Sequence, residues 1–206
     1  MKKLIILTAV GIAALVAAAV AQSVRYGEVD VTYWDDSQVP ALAIVGGATA
    51  PGLISFAGDN LLKIYGFDGT SRDEMGHFSV QLSHRYREGT AIEPHVHWCR
   101  TADPGNAAYT NVVWRLIYAF ATPNGVFSQS YTNWGTNAVA AANWTHQITG
   151  LGTITNTAAK VSSILVGSIT RMQSSDSDTY DGDVGLLGFD VHFQVNTPGS
   201  RTQYAK

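Results

Sequence analysis

Cysteine is almost missing from this sequence: Cys99 is the single one in 206 residues. No intrachain disulfide can form, which excludes a disulfide-stapled secreted scaffold and leaves packing to hold the fold. Charge is scarce too. Asp, Glu, Lys and Arg make up 14% of the chain, against ~25% in ordinary globular proteins, while 46% is hydrophobic. Such a chain is not disordered, and it implies extensive burial, including between subunits. There is no basic excess: 13 Lys and Arg face 16 Asp and Glu, for a formal net charge of -3. With no Lys/Arg cluster either, the electrostatic footprint of nucleic-acid binding is absent. No helical period of useful length follows Ala21, and no repeat of roughly 20–50 residues suggests a solenoid or propeller. Gly-x-Ser-x-Gly, phosphate-loop and His-Glu-x-x-His signatures are also missing, so nothing in the sequence requires an active site.

The one long apolar run lies at the start. Lys2-Lys3 precedes Leu4 to Ala21, which ends Ala19-Val20-Ala21 before Gln22. A basic start, an apolar middle and a small-x-small boundary are the layout of a secretory signal peptide. A retained anchor or assembly helix is the alternative, because 18 residues at ~1.5 Å each span about 27 Å, near a bilayer's hydrocarbon thickness. Residues 1–21 are therefore expected to be a signal peptide or an apolar anchor helix.

At 206 residues the chain suits one domain plus an arm. Residues 22–65 are interrupted by Pro40, Gly46-Gly47, Pro51-Gly52 and Gly58, and read as an extended arm with short strands. Residues 66–206 read as an all-β domain: short alternating runs separated by Gly, Asn, Asp and Pro clusters predict an antiparallel, jelly-roll-like β-sandwich. From Leu187 to Asn196 strict alternation puts Leu187, Phe189, Val191, Phe193 and Val195 on one face. Asn111 to Phe120 likewise aligns Val112, Trp114, Leu116, Tyr118 and Phe120 and, being nearly apolar on both faces, should be a central strand. Lys160 to Arg171, Phe78 to Arg85 and Ile92 to Cys99 supply further strands. Turn signals stand at Asp103-Pro104-Gly105 and Pro123-Asn124-Gly125. Asn133 to Asn156 reads as a surface insertion with a short helix near Val139 to Asn143 and two aromatic anchors, Trp134 and Trp144.

Chemistry concentrates in Glu93-Pro94-His95-Val96-His97-Trp98-Cys99. In a strand, Pro94, Val96 and Trp98 point one way and Glu93, His95, His97 and Cys99 the other. Imidazoles two residues apart lie ~6.5–7 Å apart at Cα, close enough for rotamers to converge on one ion. Gly89 and His95-x-His97 are similar to the first half of the cupin metal motif, and His192 with Asn196 to part of the second. The acidic ligand due soon after the paired histidines is missing, as is the second motif's Pro-x-Gly. His95, His97 and His192 are thus a candidate metal set; the alternatives are hydrogen bonding across a sheet face or subunit interface, and a structural ion on an oligomer axis. At an interface, acidification through a reference pKa of ~6.5 would charge several imidazoles together and weaken association. Asp176, Asp178, Asp181 and Asp183 lack the third oxygen ligand and closing Glu of a calcium loop, and read as a solvated turn. Cys99 reads as a small buried or interface residue.

Several stretches carry a resemblance together: Trp34-Asp35-Asp36, Val80-Gln81-Leu82-Ser83-His84, Glu88-Gly89-Thr90, Glu93-Pro94-His95-Val96-His97-Trp98, Val113-Trp114-Arg115-Leu116, Asp190-Val191-His192-Phe193-Gln194 and Gly199-Ser200-Arg201. Their order from Tyr33 to Lys206 resembles a family of poorly characterised tailed-phage and prophage virion-associated proteins. The resemblance implies a structural component of a bacteriophage particle: a head fibre, decoration or tail-associated protein, non-enzymatic and acting as a homo-oligomer, in particular a trimer. Implied partners are further copies of the chain, other virion proteins or host surface glycans, without nucleic acid, and with membrane contact only through residues 1–21. The implied location is the virion, with a secreted or cell-surface site as the alternative. No cofactor is implied beyond a structural metal ion at an oligomer interface. The competing function is a secreted or surface carbohydrate-binding β-sandwich using exposed aromatics such as Trp134 and Trp144, with a cupin-like metal-binding protein as a further alternative.

Overall fold

A computed structural model describes residues 33–103, 110–155, 158–200 and 202. Residues 1–21, the start of the expected arm and most of the Asp103-Pro104-Gly105 turn lie outside them. The described chain is β throughout: β1 (Tyr33–Pro40), β2 (Val45–Gly46), β3 (Gly52–Phe56), β4 (Asp59–Phe67), β5 (Glu74–Gln81), β6 (Ile92–Arg100), β7 (Asn111–Ala121), β8 (Tyr131–Ala138), β9 (Gln147–Gly150), β10 (Ile164–Arg171) and β11 (Val184–Val195). A 3-10 turn at Ala41–Ala43 follows β1. Among the described residues no helix is long and apolar enough to cross a membrane.

The compact unit Trp34–Lys206 carries two antiparallel sheets. One runs β3-β4-β11-β6-β9, with β1 also paired to β11; the other runs β2-β5-β10-β7-β8. Alternation drives both, since β5, β6, β7, β10 and β11 each turn apolar residues inward. Val112, Trp114 and Leu116 of β7 meet Val96 and Trp98 of β6 and Val191 and Phe193 of β11, all buried. Rings bridge the sheets: Phe78 on β5 lies 4.2 Å from Phe189 on β11, and Phe67 on β4 lies 5.2 Å from Trp114 on β7, between ring centroids. The expected central strand is indeed interior, with β7 flanked by β10 and β8.

Four expectations need correction. The boundary at residue 66 falls inside β4, and much of the expected arm consists of strands belonging to the first sheet. Leu187 is not in the core: the register against β6 shifts between Leu186 and Gly188, so Leu186 takes the buried position and Leu187 lines the surface. A β-bulge adds one residue to one strand and flips the alternation on either side of it. Asn133 to Asn156 is not a helical insertion either, because Tyr131–Ala138 pairs along β7 and Gln147–Gly150 along β6. Finally, Asp178 is not in a solvated turn. Its side chain is fully buried, receives two hydrogen bonds from the equally buried Arg171 guanidinium and accepts a third from the Val113 amide at 2.9 Å. Arg171 spends its remaining donors on the carbonyls of Phe67, Tyr180 and Gly182, so the charge pair ties β10 and β4 to the loop before β11.

Candidate functional site

Two neighbouring strands build the histidine face. Antiparallel pairing puts Asp190 of β11 opposite His95 of β6, His192 opposite Glu93 and Gly188 opposite His97; on the other side of β6, Gly150 of β9 lies opposite His95. Because Val96, Trp98, Val191 and Phe193 fill the core, the alternate residues must project from the outer face of the sheet. All three predicted histidines meet there. The His95 ring centroid is 4.3 Å from that of His192 and 4.8 Å from that of His97.

The structure adds three groups that sequence reasoning left out of the site. Asp190, buried at 2% exposure, contacts His95 Nε2 through Oδ1 and accepts a hydrogen bond from His97 Nε2 at 3.0 Å through Oδ2. His146 Nε2 lies 2.7 Å from His97 Nδ1, and Asp36 Oδ2 3.9 Å from His192 Nε2. Asp190 was legible in one respect: it stands two residues before His192, on the same face of the same strand. His146 comes from the segment before β9 and Asp36 from β1, and no local spacing marks either.

Hydrogen-bond chemistry orders the protons. An ionised carboxylate only accepts, so neutral His97 must carry its proton on Nε2. Nδ1 is then bare, and His146 must donate to it from Nε2. Burial pushes His95 down, yet the hydrogen bond and charge of Asp190 more than offset this and raise its pKa. For His97 burial prevails over the same carboxylate, and the pKa falls. Burial pushes Asp190 up, but His95 and His97 together hold it below its ordinary value. This alters the expectation for acid: a proton arriving on His95 meets the buried carboxylate as well as its neighbouring imidazoles.

Glycines opposite the histidines leave the face indented. Beside Gly188 an open cleft of roughly 430 Å³ reaches His97, His146, Asp190 and Pro40. Beside Gly150 another, of roughly 400 Å³, reaches His95, His192, Glu93 and Thr153. A side chain at Gly150 would meet no atom within 4 Å, so this approach to His95 is unobstructed.

A different surface presents aromatics. Trp134 on β8 faces outward from the second sheet at 51% exposure, with the Arg115 guanidinium of β7 5.7 Å from its ring centroid. Thr132 and Thr136 share its face of the strand and are exposed. Trp144, expected to be its companion, is instead partly buried against Phe56, edge-on at 5.3 Å. Other candidates are quiet: Cys99 is buried with its thiol pushed up to about 11 by desolvation, and His84 is held between the Ser162 and Ser200 hydroxyls at 2.8 and 2.6 Å.

No protein-family model matches the chain, and no curated protein does. Among solved structures it is similar to the carbohydrate-binding module CsCBM6-3 from Clostridium stercorarium in complex with cellobiose, at 12% identity and a TM-score of 0.39 over 78% of this chain and 94% of that one. It is similar to the enzymatically active domain of tailspike protein 4 from bacteriophage CBA120, at 9% identity and a TM-score of 0.33 over 79% of this chain and 19% of that one. The mannan-recognising module TmCBM27 gives 14% identity and a TM-score of 0.31 over 78% and 88% of the two chains. Likenesses of this size leave the ligand to be argued from the side chains of this chain.

Proposed function

We propose that this chain is a non-catalytic, jelly-roll-like β-sandwich that binds glycan on the outer face of its second sheet. The observation that carries the reading is Trp134. A half-exposed indole on a strand is a poor use of apolar surface unless something covers it, and its amphipathic ring suits a ligand that is apolar on one face and polar at the rim. A pyranose is such a ligand: its axial C–H groups stack on the ring while its hydroxyls reach Thr132, Thr136 and the Arg115 guanidinium. Arg115 steadies the indole from one side, which lowers the ordering cost on binding. A glycan array followed by titration calorimetry tests this. The wild type binds at least one glycan class, and Trp134→Ala weakens it at least tenfold, whereas replacement of the partly buried Trp144 acts through stability. An array with no ligand for the wild type would overturn the reading.

A second reading concerns where the module works. The resemblance across Tyr33–Lys206 supports a homo-oligomeric component of a phage particle, in a head fibre, decoration or tail-associated role. The β3–β4 hairpin adds to it, because Leu53, Leu61 and Leu62 are all exposed on one short ribbon, apolar area that a second copy of the chain would cover. Glycan binding and a place on a particle are compatible, with the virion as location and a secreted or cell-surface site as the alternative.

A further inference from the structure

We propose that His95, Asp190 and His192 bind one divalent transition-metal ion within a single chain, with His97 as a positioning residue. One ligand atom from each of the three lies within 4.8 Å of the others. Ligands around one zinc-sized ion at ~2.0–2.2 Å sit about 3–4 Å apart, so the touching His95 and Asp190 must part slightly and His192 must close in. His192 is free to make its part of this adjustment, because its side chain is 44% exposed and turns without disturbing the core. Two imidazoles and a carboxylate suit zinc, nickel or cobalt better than calcium or magnesium, which take oxygen ligands.

The surroundings of Asp190 fit a ligand role. Asp190 Oδ1 is buried against His95 Nε2, so the carboxylate already faces the imidazole that would share the ion. A buried carboxylate needs a facing positive charge, and a cation shared with His95 would supply one without requiring the imidazole to be protonated. The other oxygen is held by His97, itself steadied by His146, so Oδ1 is the one turned toward His95 and His192. This is the arrangement of a ligand with a supporting outer shell. The cleft beside Gly150 gives the ion an entry path and leaves its remaining positions to water. The carboxylate missing from the sequence after the paired histidines is thus supplied across the sheet by β11. All three ligands come from one chain, so no oligomer axis is needed. The site lies on the opposite sheet from Trp134 and stands or falls independently of glycan binding.

The test strips the full-length protein with chelator, dialyses it against zinc and then metal-free buffer, and counts retained metal; cobalt is loaded in parallel for its visible spectrum. One zinc per chain is expected to remain, with cobalt bands showing mixed nitrogen and oxygen ligation. His192→Ala, whose exposed position preserves the metal-free melting curve, and Asp190→Asn each lower zinc affinity at least tenfold. His97→Ala keeps one ion per chain but changes the cobalt spectrum, because Asp190 Oδ2 is released. A folded wild type that retains no zinc overturns the proposal, and so does zinc retention unchanged in both His192→Ala and Asp190→Asn.

Discussion

Arg171 and Asp178 are the residues whose chemistry departs furthest from their sequence context. An arginine ending one alternating run and an aspartate in a Ser- and Asp-rich stretch look like surface groups, yet both side chains are fully buried. Taking two charges out of water is tolerable only because every strong donor of Arg171 finds an acceptor and Asp178 is triply bonded. Arg171→Met should therefore cost about 3–5 kcal/mol, since it leaves a buried carboxylate without its counter-charge. The double variant with Asp178→Leu should recover part of that loss. Urea unfolding of the three proteins measures this, and a double variant less stable than Arg171→Met would contradict it. The histidine face follows the same logic. A buried Asp190 is affordable there because imidazoles, rather than water, surround it.

At the scale of the element, strand positions were readable because alternation is a direct consequence of the pleat. Asn111–Ala121 and Ile92–Arg100 begin where the sequence predicts, and their apolar residues face the core. Alternation fails at β11 for a reason that it cannot encode. Val184 and Leu186 face inward before the register shift, and Phe189, Val191, Phe193 and Val195 after it. Only pairing with β6 shows that Leu187 is the residue displaced. Leu186→Ala should thus cost about 2–5 kcal/mol and Leu187→Ala little by comparison, as Leu187 leaves no cavity when trimmed. Thermal unfolding of both variants decides the matter, and the reverse order would place Leu187 in the core after all. Missing β8 and β9 had another cause. Their Asn, Ala and Gly have weak strand propensity and β8 stays largely exposed, so backbone pairing along β7 and β6 makes them strands. Gly135 on β8 and Gly150 on β9 also approach closely, since a Cβ at Gly135 would stand 2.2 Å from the Gly150 carbonyl oxygen.

For the whole molecule, two outer faces and one exposed hairpin remain after the core is filled. If the hairpin leucines are covered by a second copy, light scattering of the full chain gives a homo-oligomer, with a trimer expected. Leu61→Glu together with Leu62→Glu should then dissociate it while leaving the melting temperature of the sandwich within a few degrees. A monomeric wild type would remove the oligomeric reading. The sequence by itself determined the all-β class, the two best strands, the outward direction of His95, His97 and His192 and the slight acidic excess, because composition and period-two alternation are local quantities. Tertiary structure alone decided that Asp190 lies opposite His95, that His146 and Asp36 approach the same face, and that Trp134 is exposed while Trp144 is packed. Those facts depend on strand order and register, which are set by the summed packing of residues distant in the chain, and no short window of sequence contains that sum.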